Sequence, residues 1–104
     1  AKSIWGIALV EQAQGKFAEA LAKYNQVLEI QVKALGHDHV DVAATCINMG
    51  VVLRAQGDYA GALENYQKGL EIQLKTYGHD HVDVAKSIWG IALVEELQGK
   101  FAEA

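Results

Sequence analysis

The chain has 104 residues, of which 51% are hydrophobic and 21% charged, and its net charge is −4 at pH 7. This composition is typical of one ordinary globular unit, and the lack of any Lys/Arg cluster argues against nucleic acid as a partner. No apolar run approaches the roughly 20 residues of a membrane span, and no secretory signal is present. We therefore expect a cytoplasmic protein with no membrane partner. Its single cysteine, Cys46, cannot form an intrachain disulfide.

An exact internal repeat organises the sequence. The octapeptide Gly-His-Asp-His-Val-Asp-Val-Ala occupies residues 36–43 and again residues 78–85, a shift of 42 positions. At the same shift, about half of the residues in 1–42 are identical to those in 43–84, and residues 85–104 differ from 1–20 at only two positions. The chain is therefore predicted to be a single array of two and a half repeats, with boundaries at 1–42, 43–84 and 85–104.

The helical spacing of apolar residues predicts five helices and the start of a sixth. Their expected ranges are 1–14, 17–34, 40–55, 59–76 and 82–97, with 100–104 beginning the sixth. Because Ala1 already lies inside the first of them, we expect the chain to be an excerpt of a longer protein. Asp38 and Asp80 are the expected N-caps of the third and fifth helices, with Asp41 in the first helical turn. Short connections make neighbouring helices antiparallel, and such pairs stack into a solenoid.

A motif at set spacing accompanies this helix pattern. It consists of an apolar residue, an apolar–small pair, a Gly-polar-aromatic turn, Ala-Leu, Tyr and a second small–Leu pair. In the second copy these are Cys46, Met49-Gly50, Gly57-Asp58-Tyr59, Ala62-Leu63, Tyr66 and Gly69-Leu70. The pattern resembles the tetratricopeptide repeat, and the 42-residue period with its long second helix resembles the kinesin-light-chain type. The resemblance implies a right-handed superhelix, so the predicted fold class is an all-α, right-handed α-solenoid. We expect neither catalytic activity nor cofactors.

The resemblance also implies that the first helix of each repeat lines a concave groove for a protein or peptide partner. In support, each first helix carries a second apolar stripe, headed by Trp5, Ile47 and Trp89, beside the stripe assigned to the core. The alternative is that these side chains pack against the neighbouring repeat. The predicted groove residues are Lys2, Trp5, Leu9, Gln12, Ala44, Ile47, Asn48, Val51, Arg54, Lys86, Trp89, Leu93 and Glu96.

A structural role is the main alternative to the scaffold. Terminal repeats of a solenoid need polar caps, and this sequence shows none. The two end faces are expected to fit one another, which predicts head-to-tail stacking or helix exchange between molecules. The near-identity of the first and third copies indicates either recent duplication or an engineered array.

Metal binding and catalysis have weaker support. The His-Asp-His-x-Asp clusters offer imidazole and carboxylate groups of the kind that bind zinc or nickel, but neighbouring residues at a helix start diverge. The alternative is that the aspartates cap the helices while the histidines pack between turns. Neither Ser3 nor Ser87 has a His and Asp partner at a suggestive spacing, and Cys46 lies on the core stripe, where it acts as a small hydrophobe. No catalytic residue is predicted.

Overall fold

The computed structural model describes residues 2–99, which form five α-helices and no strand. The helices are α1 (Lys2–Ala13), α2 (Phe17–Leu35), α3 (Val40–Gln56), α4 (Tyr59–Tyr77) and α5 (Val82–Leu97). Every described helix end falls within one residue of its predicted position. The expected sixth helix, at 100–104, lies outside the described residues. The predicted fold class, an all-α solenoid of helix-turn-helix repeats, is confirmed.

Each helix packs against its neighbours in sequence, and α3 also contacts α5. We call α1, α3 and α5 the A helices, because they open the three copies of the repeat, and α2 and α4 the B helices. The contact between α3 and α5 brings successive A helices side by side. This stacking places equivalent residues of the copies along one face of the array.

The two copies of the octapeptide join a B helix to the next A helix. Gly36 and Gly78 have φ values of +88° and +79° and end the B helices. Such a conformation costs glycine little because it has no Cβ. Each following A helix begins at a valine, Val40 or Val82. The octapeptide therefore sets the point at which one repeat ends and the next begins.

The N-caps of α3 and α5 are histidines, so the prediction of Asp38 and Asp80 as caps is wrong. His39 Nδ1 accepts a hydrogen bond from the Asp41 amide at 3.0 Å, and the second copy repeats this bond at 3.0 Å. The helices begin one residue later than an aspartate cap requires, which puts histidine in the capping position. Asp41 does lie in the first turn, where its carboxylate faces the positive end of the helix dipole.

A buried tyrosine from each B helix holds the A helices together. Tyr24 and Tyr66 occupy equivalent positions and are both buried. A Cβ added at Gly50 would come within 3.2 Å of the Tyr66 ring, and one added at Gly90 would come within 2.8 Å. The Tyr66 ring thus lies against two A helices at once, and the glycines make room for it.

Candidate functional site

Two adjoining pockets lie along the A helices and share Ala44, an exposed residue of α3. The first has a volume of about 450 Å³ and the second about 260 Å³. We call them together the A-helix groove. The first is lined by Trp5, Gln31, Asp41 and Ala44, and the second by Ala44, Ile47, Asn48, Gln73, Asp83, Lys86 and Ser87. Because both repeats contribute equivalent positions, the groove repeats its chemistry along the array.

A third pocket of about 350 Å³ lies on α5. It is lined by Trp89, Ala92, Leu93 and Glu96. Its residues are equivalent to those around Ile47 on α3 and around Trp5 on α1. Only Trp89 among them has equivalents, Trp5 and Ile47, that line the A-helix groove.

The predicted groove residues divide into two sets. Eight of them line these three pockets: Trp5, Ala44, Ile47, Asn48, Lys86, Trp89, Leu93 and Glu96. The others lie elsewhere on the A helices. Leu9 is exposed, Val51 packs against the core cluster around Tyr66, and Gln12 and Arg54 are half-buried. Lys2 is the first residue of α1, and its side chain is outside the described part of the structure.

The two tryptophans have different surroundings although their positions are equivalent. Trp5 is partly buried and meets Tyr24 edge to face, with ring centroids 5.5 Å apart and planes at 75°. Such a pair stabilises the contact between α1 and α2. Trp89 on α5 is 72% exposed. Trp5 therefore serves both the helix pair and the groove wall, whereas Trp89 presents most of its ring to the surface.

Ile47 occupies the same position on α3 and lies over Gly69 of α4. A Cβ added at Gly69 would come within 2.5 Å of the Ile47 Cδ1 atom. The first copy has Val27 in place of this glycine, and that valine is buried. The glycine therefore lets the Ile47 side chain approach the α4 backbone more closely than a larger residue would allow.

The groove has mixed charge. Asp41 lies in the first pocket, and Asp83, its equivalent, lies in the second with Lys86. Asn48 of α3 adds a neutral amide to the second pocket. The groove can therefore offer both hydrogen-bond acceptors and donors to a partner, and the first pocket is the more negative.

Residues of the B helices also reach this groove, which the sequence reasoning missed. Gln31 accepts a hydrogen bond from the Thr45 hydroxyl at 2.6 Å, and Gln73 accepts one from the Ser87 hydroxyl at 2.5 Å. Both bonds join a B helix to the next A helix across 14 residues. The alignment of the two repeats already shows these pairs: a glutamine occupies equivalent positions in both copies, and a hydroxyl residue, Thr45 or Ser87, stands 14 residues later. The pairs were overlooked because only first helices were expected to line the groove.

A separate groove of about 410 Å³ is formed by α2, α3, α4 and the link between α2 and α3. Its lining includes Leu28, Ile72 and the free thiol of Cys46. Burial raises the pKa of this thiol, although the ammonium of Lys68 opposes the shift. Such a thiol stays protonated and reacts slowly. This groove shares no lining residue with the A-helix groove.

The His-Asp links have a structural role in the described residues. Within residues 2–99, no group of three or more His, Cys, Asp or Glu side chains is arranged to hold a metal ion. His39 and His81 are N-caps, and His81 also stacks on Tyr77 with ring centroids 3.9 Å apart. Asp38 forms an exposed ion pair with Lys75 at 3.7 Å, between the first link and α4. None of the helices described is long and apolar enough to cross a membrane.

Tandem helix pairs whose first helices lie side by side define a helical-repeat protein. The tetratricopeptide repeat family model matches residues 1–75 and, in a second overlapping match, residues 46–104. The chain therefore belongs to the tetratricopeptide repeat family. Repeats of this family generally mediate protein–protein interactions and are typically not catalytic. No curated protein shows significant sequence similarity to the chain.

Proposed function

We propose that the chain is a non-catalytic scaffold that binds an extended peptide, or an extended segment of a partner protein, in the A-helix groove. The observation that carries this proposal is that the two pockets adjoin at Ala44, which lines both of them. A single compact ligand is usually held in one cleft or cavity that covers most of its surface. Two open pockets in a row suit a chain that passes along the A helices.

The chemistry of the groove supports the same proposal. Trp5 and Ile47 provide apolar surface for partner side chains, while Asn48 and Lys86 provide donors that can orient the partner. Peptide-binding grooves generally combine apolar contacts with a few polar groups in this way. Leu93 and Glu96 extend the surface along α5.

We also propose a repeat type, the extent of the array and a cellular compartment. The 42-residue period and B helices of 19 residues favour the kinesin-light-chain type of repeat. The residues 1–104 are proposed to form a single array. The free, buried thiol of Cys46 suits the reducing cytoplasm.

A groove-filling substitution tests the proposal. A displayed library of ten-residue peptides is selected against the wild-type chain, and the tightest peptide becomes the probe. Ala44→Trp is expected to lower its affinity at least ~10-fold, because one bulky side chain enters both pockets. Ala22→Trp is the matched control, since Ala22 is an exposed residue of α2 outside the groove. Circular dichroism checks that both variants are folded.

The proposal is judged by comparing the peptide affinities of Ala44→Trp and Ala22→Trp. Equal loss of affinity in both variants, or no loss in either, would contradict binding in the A-helix groove. Failure to recover any peptide with a Kd below ~100 μM would contradict the scaffold function itself, because such a Kd corresponds to only about −5.5 kcal/mol of binding free energy.

Head-to-tail self-association is the second candidate function. Val10 on α1 is 56% exposed, whereas its equivalents Val52 and Val94 are 0% exposed. On α5, Ile88 is 53% exposed, whereas its equivalent Cys46 is 4% exposed. The two end helices thus present apolar surface of the kind that is buried inside the array. A second copy could cover one such face with the other.

Mixing experiments test this candidate. Light scattering of the wild-type chain is expected to show mass increasing with concentration. Val10→Glu and Ile88→Glu each block one face of a heterologous contact, so each variant alone is expected to stay monomeric. An equimolar mixture of the two retains one intact pair of faces and is expected to form dimers and nothing larger. A wild-type chain that remains monomeric up to millimolar concentration contradicts self-association.

A further inference from the structure

Gln31 and Gln73 are equivalent residues of the B helices that line the two pockets of the A-helix groove. Gln73 is only 7% exposed, and Gln31 is half-buried. Neither lies on the helices that supply the rest of the groove wall. Their identity in both copies and their position in successive pockets give the groove one amide group per repeat.

Hydrogen bonds to the next repeat fix which end of each amide faces the groove. The Thr45 and Ser87 hydroxyls lie 2.6 and 2.5 Å from the side-chain oxygens of Gln31 and Gln73. In both contacts the amide oxygen, and not the nitrogen, faces the hydroxyl, and the 2.6 Å distance at Gln31 lies within the usual range of an O–H···O bond. Each hydroxyl also lies near a backbone carbonyl one turn earlier, at 3.2 or 3.3 Å. Because a hydroxyl has one proton, the shorter contact receives it.

The nitrogen of each amide is left to serve another acceptor. A primary amide carries two N–H donors. Among residues 2–99, neither glutamine nitrogen donates a side-chain hydrogen bond, and neither is buried without a partner. The contacts of the described residues therefore leave both nitrogens free to donate, and each glutamine lines one pocket of the A-helix groove. The groove floor thus presents fixed N–H donors at intervals of one repeat.

We propose that Gln31 and Gln73 bind the main chain of the partner. Each donates a hydrogen bond from its Nε2 to a backbone carbonyl of an extended peptide. Thr45 and Ser87 act as positioning residues that hold the amide oxygens. This inference rests on the proposed scaffold function. A neutral carbonyl suits the charge of both pockets, because Asp41 repels an anionic acceptor in the first pocket and the charges of Asp83 and Lys86 offset each other in the second. Contacts of this kind contribute affinity without depending on the partner's side chains.

Substitution of the glutamines by methionine tests the donors. Methionine is similar in length and has no N–H group, so the selected peptide is expected to bind about fivefold more weakly to Gln73→Met or Gln31→Met. The double variant is expected to bind about 25-fold more weakly, because the two residues are in separate pockets. Urea unfolding of each variant identifies any loss of fold.

The chain itself supplies the controls for the positioning residues. Ser87→Ala removes a hydroxyl, whereas Ser87→Thr keeps it and matches the residue found at position 45. In ¹⁵N NMR spectra, the peptide is expected to shift the Gln73 side-chain NH₂ signals of the wild type and of Ser87→Thr. In Ser87→Ala that shift is expected to shrink while the shift of the Ala44 backbone amide persists.

The results separate this inference from the proposed function. If Ala44→Trp abolishes peptide binding but both methionine variants bind as the wild type does, the glutamine contacts are refuted and the scaffold function stands. Unshifted Gln31 and Gln73 NH₂ signals at saturating peptide refute them equally. If peptide binding is insensitive to Ala44→Trp, the groove is not the site and both proposals fail.

Discussion

Replacing Arg54 by glutamine is expected to stabilise the chain, because it supplies a missing partner to a buried tyrosine. In the first repeat, the Tyr24 hydroxyl donates to the Gln12 side-chain oxygen at 2.8 Å. In the second repeat, the equivalent Tyr66 hydroxyl is buried and has no partner among the described residues. Arg54 stands where the first repeat has Gln12, and a guanidinium group has donors but no acceptor. Arg54→Gln restores the acceptor.

The expected magnitude follows from the cost of an unpaired group. A buried polar group without a hydrogen bond costs about 1–3 kcal/mol. Arg54 also lies in the last turn of α3, where a cation contributes about 0.3–1 kcal/mol by facing the helix dipole. The difference leaves a net gain of about 1 kcal/mol in the free energy of unfolding. For a chain of this size, the gain corresponds to a rise of roughly 4 °C or more in Tm.

Urea unfolding followed by circular dichroism at pH 7 measures the gain. Tyr24→Phe is expected to cost about 1 kcal/mol because its hydroxyl has a partner, whereas Tyr66→Phe is expected to stabilise the chain by about 1 kcal/mol or more because it removes an unpaired buried hydroxyl. In the Tyr66→Phe background, Arg54→Gln is expected to give no gain. The reasoning is refuted if Arg54→Gln is no more stable than the wild type, or if Tyr66→Phe costs as much as Tyr24→Phe.

Three further outcomes follow from the same structure. Gly6→Ala is expected to stabilise the chain by about 0.5–1 kcal/mol through helix propensity, because nothing lies within 4 Å of the added Cβ. The equivalent Gly90→Ala is expected to destabilise the chain, because its Cβ would come within 2.8 Å of the Tyr66 ring. Thermal unfolding compares the two variants. His39→Ala is expected to lower the free energy of unfolding by about 1 kcal/mol, because it removes the N-cap of α3. Asp38→Ala is expected to change it by less than about 0.5 kcal/mol. A larger loss for Asp38→Ala than for His39→Ala would contradict the assignment of His39 as the cap. Burial raises the pKa of the Tyr66 phenol above 10.0, so above this pH the folded state keeps a proton that the unfolded state loses. The free energy of unfolding, measured in urea, is therefore expected to fall as the pH rises above 10. The fall is expected to be shallower in Tyr66→Phe.

The sequence predicted the helix boundaries well because two independent signals agree at each end. A glycine stands at every break, and the 42-residue shift requires equivalent helices to begin and end at equivalent residues. The caps of α3 and α5 were predicted wrongly because the link offers Asp38 and His39 side by side, and both can accept a hydrogen bond from an amide. Only the backbone conformation decides which of them is the last residue before the helix.

The site was harder to predict, because equivalent residues acquire different roles from their neighbours. Trp5 and Trp89 are identical in sequence context, yet Trp5 packs on Tyr24 and Trp89 is mostly exposed. Gln73 was missed because periodicity assigns a residue to a helix face but does not show that a B helix reaches between two A helices. That contact depends on the angle at which the helices cross, which is a property of the whole packing.

Mapping the bound peptide on the chain tests the central claim most directly. In a titration of ¹⁵N-labelled protein with the selected peptide, the largest backbone shifts are expected at Ala44, Asn48 and Lys86, which line the A-helix groove. Shifts that cluster instead at Leu28, Cys46 and other residues of the groove between α2, α3 and α4 would place the partner on the wrong surface and contradict the account.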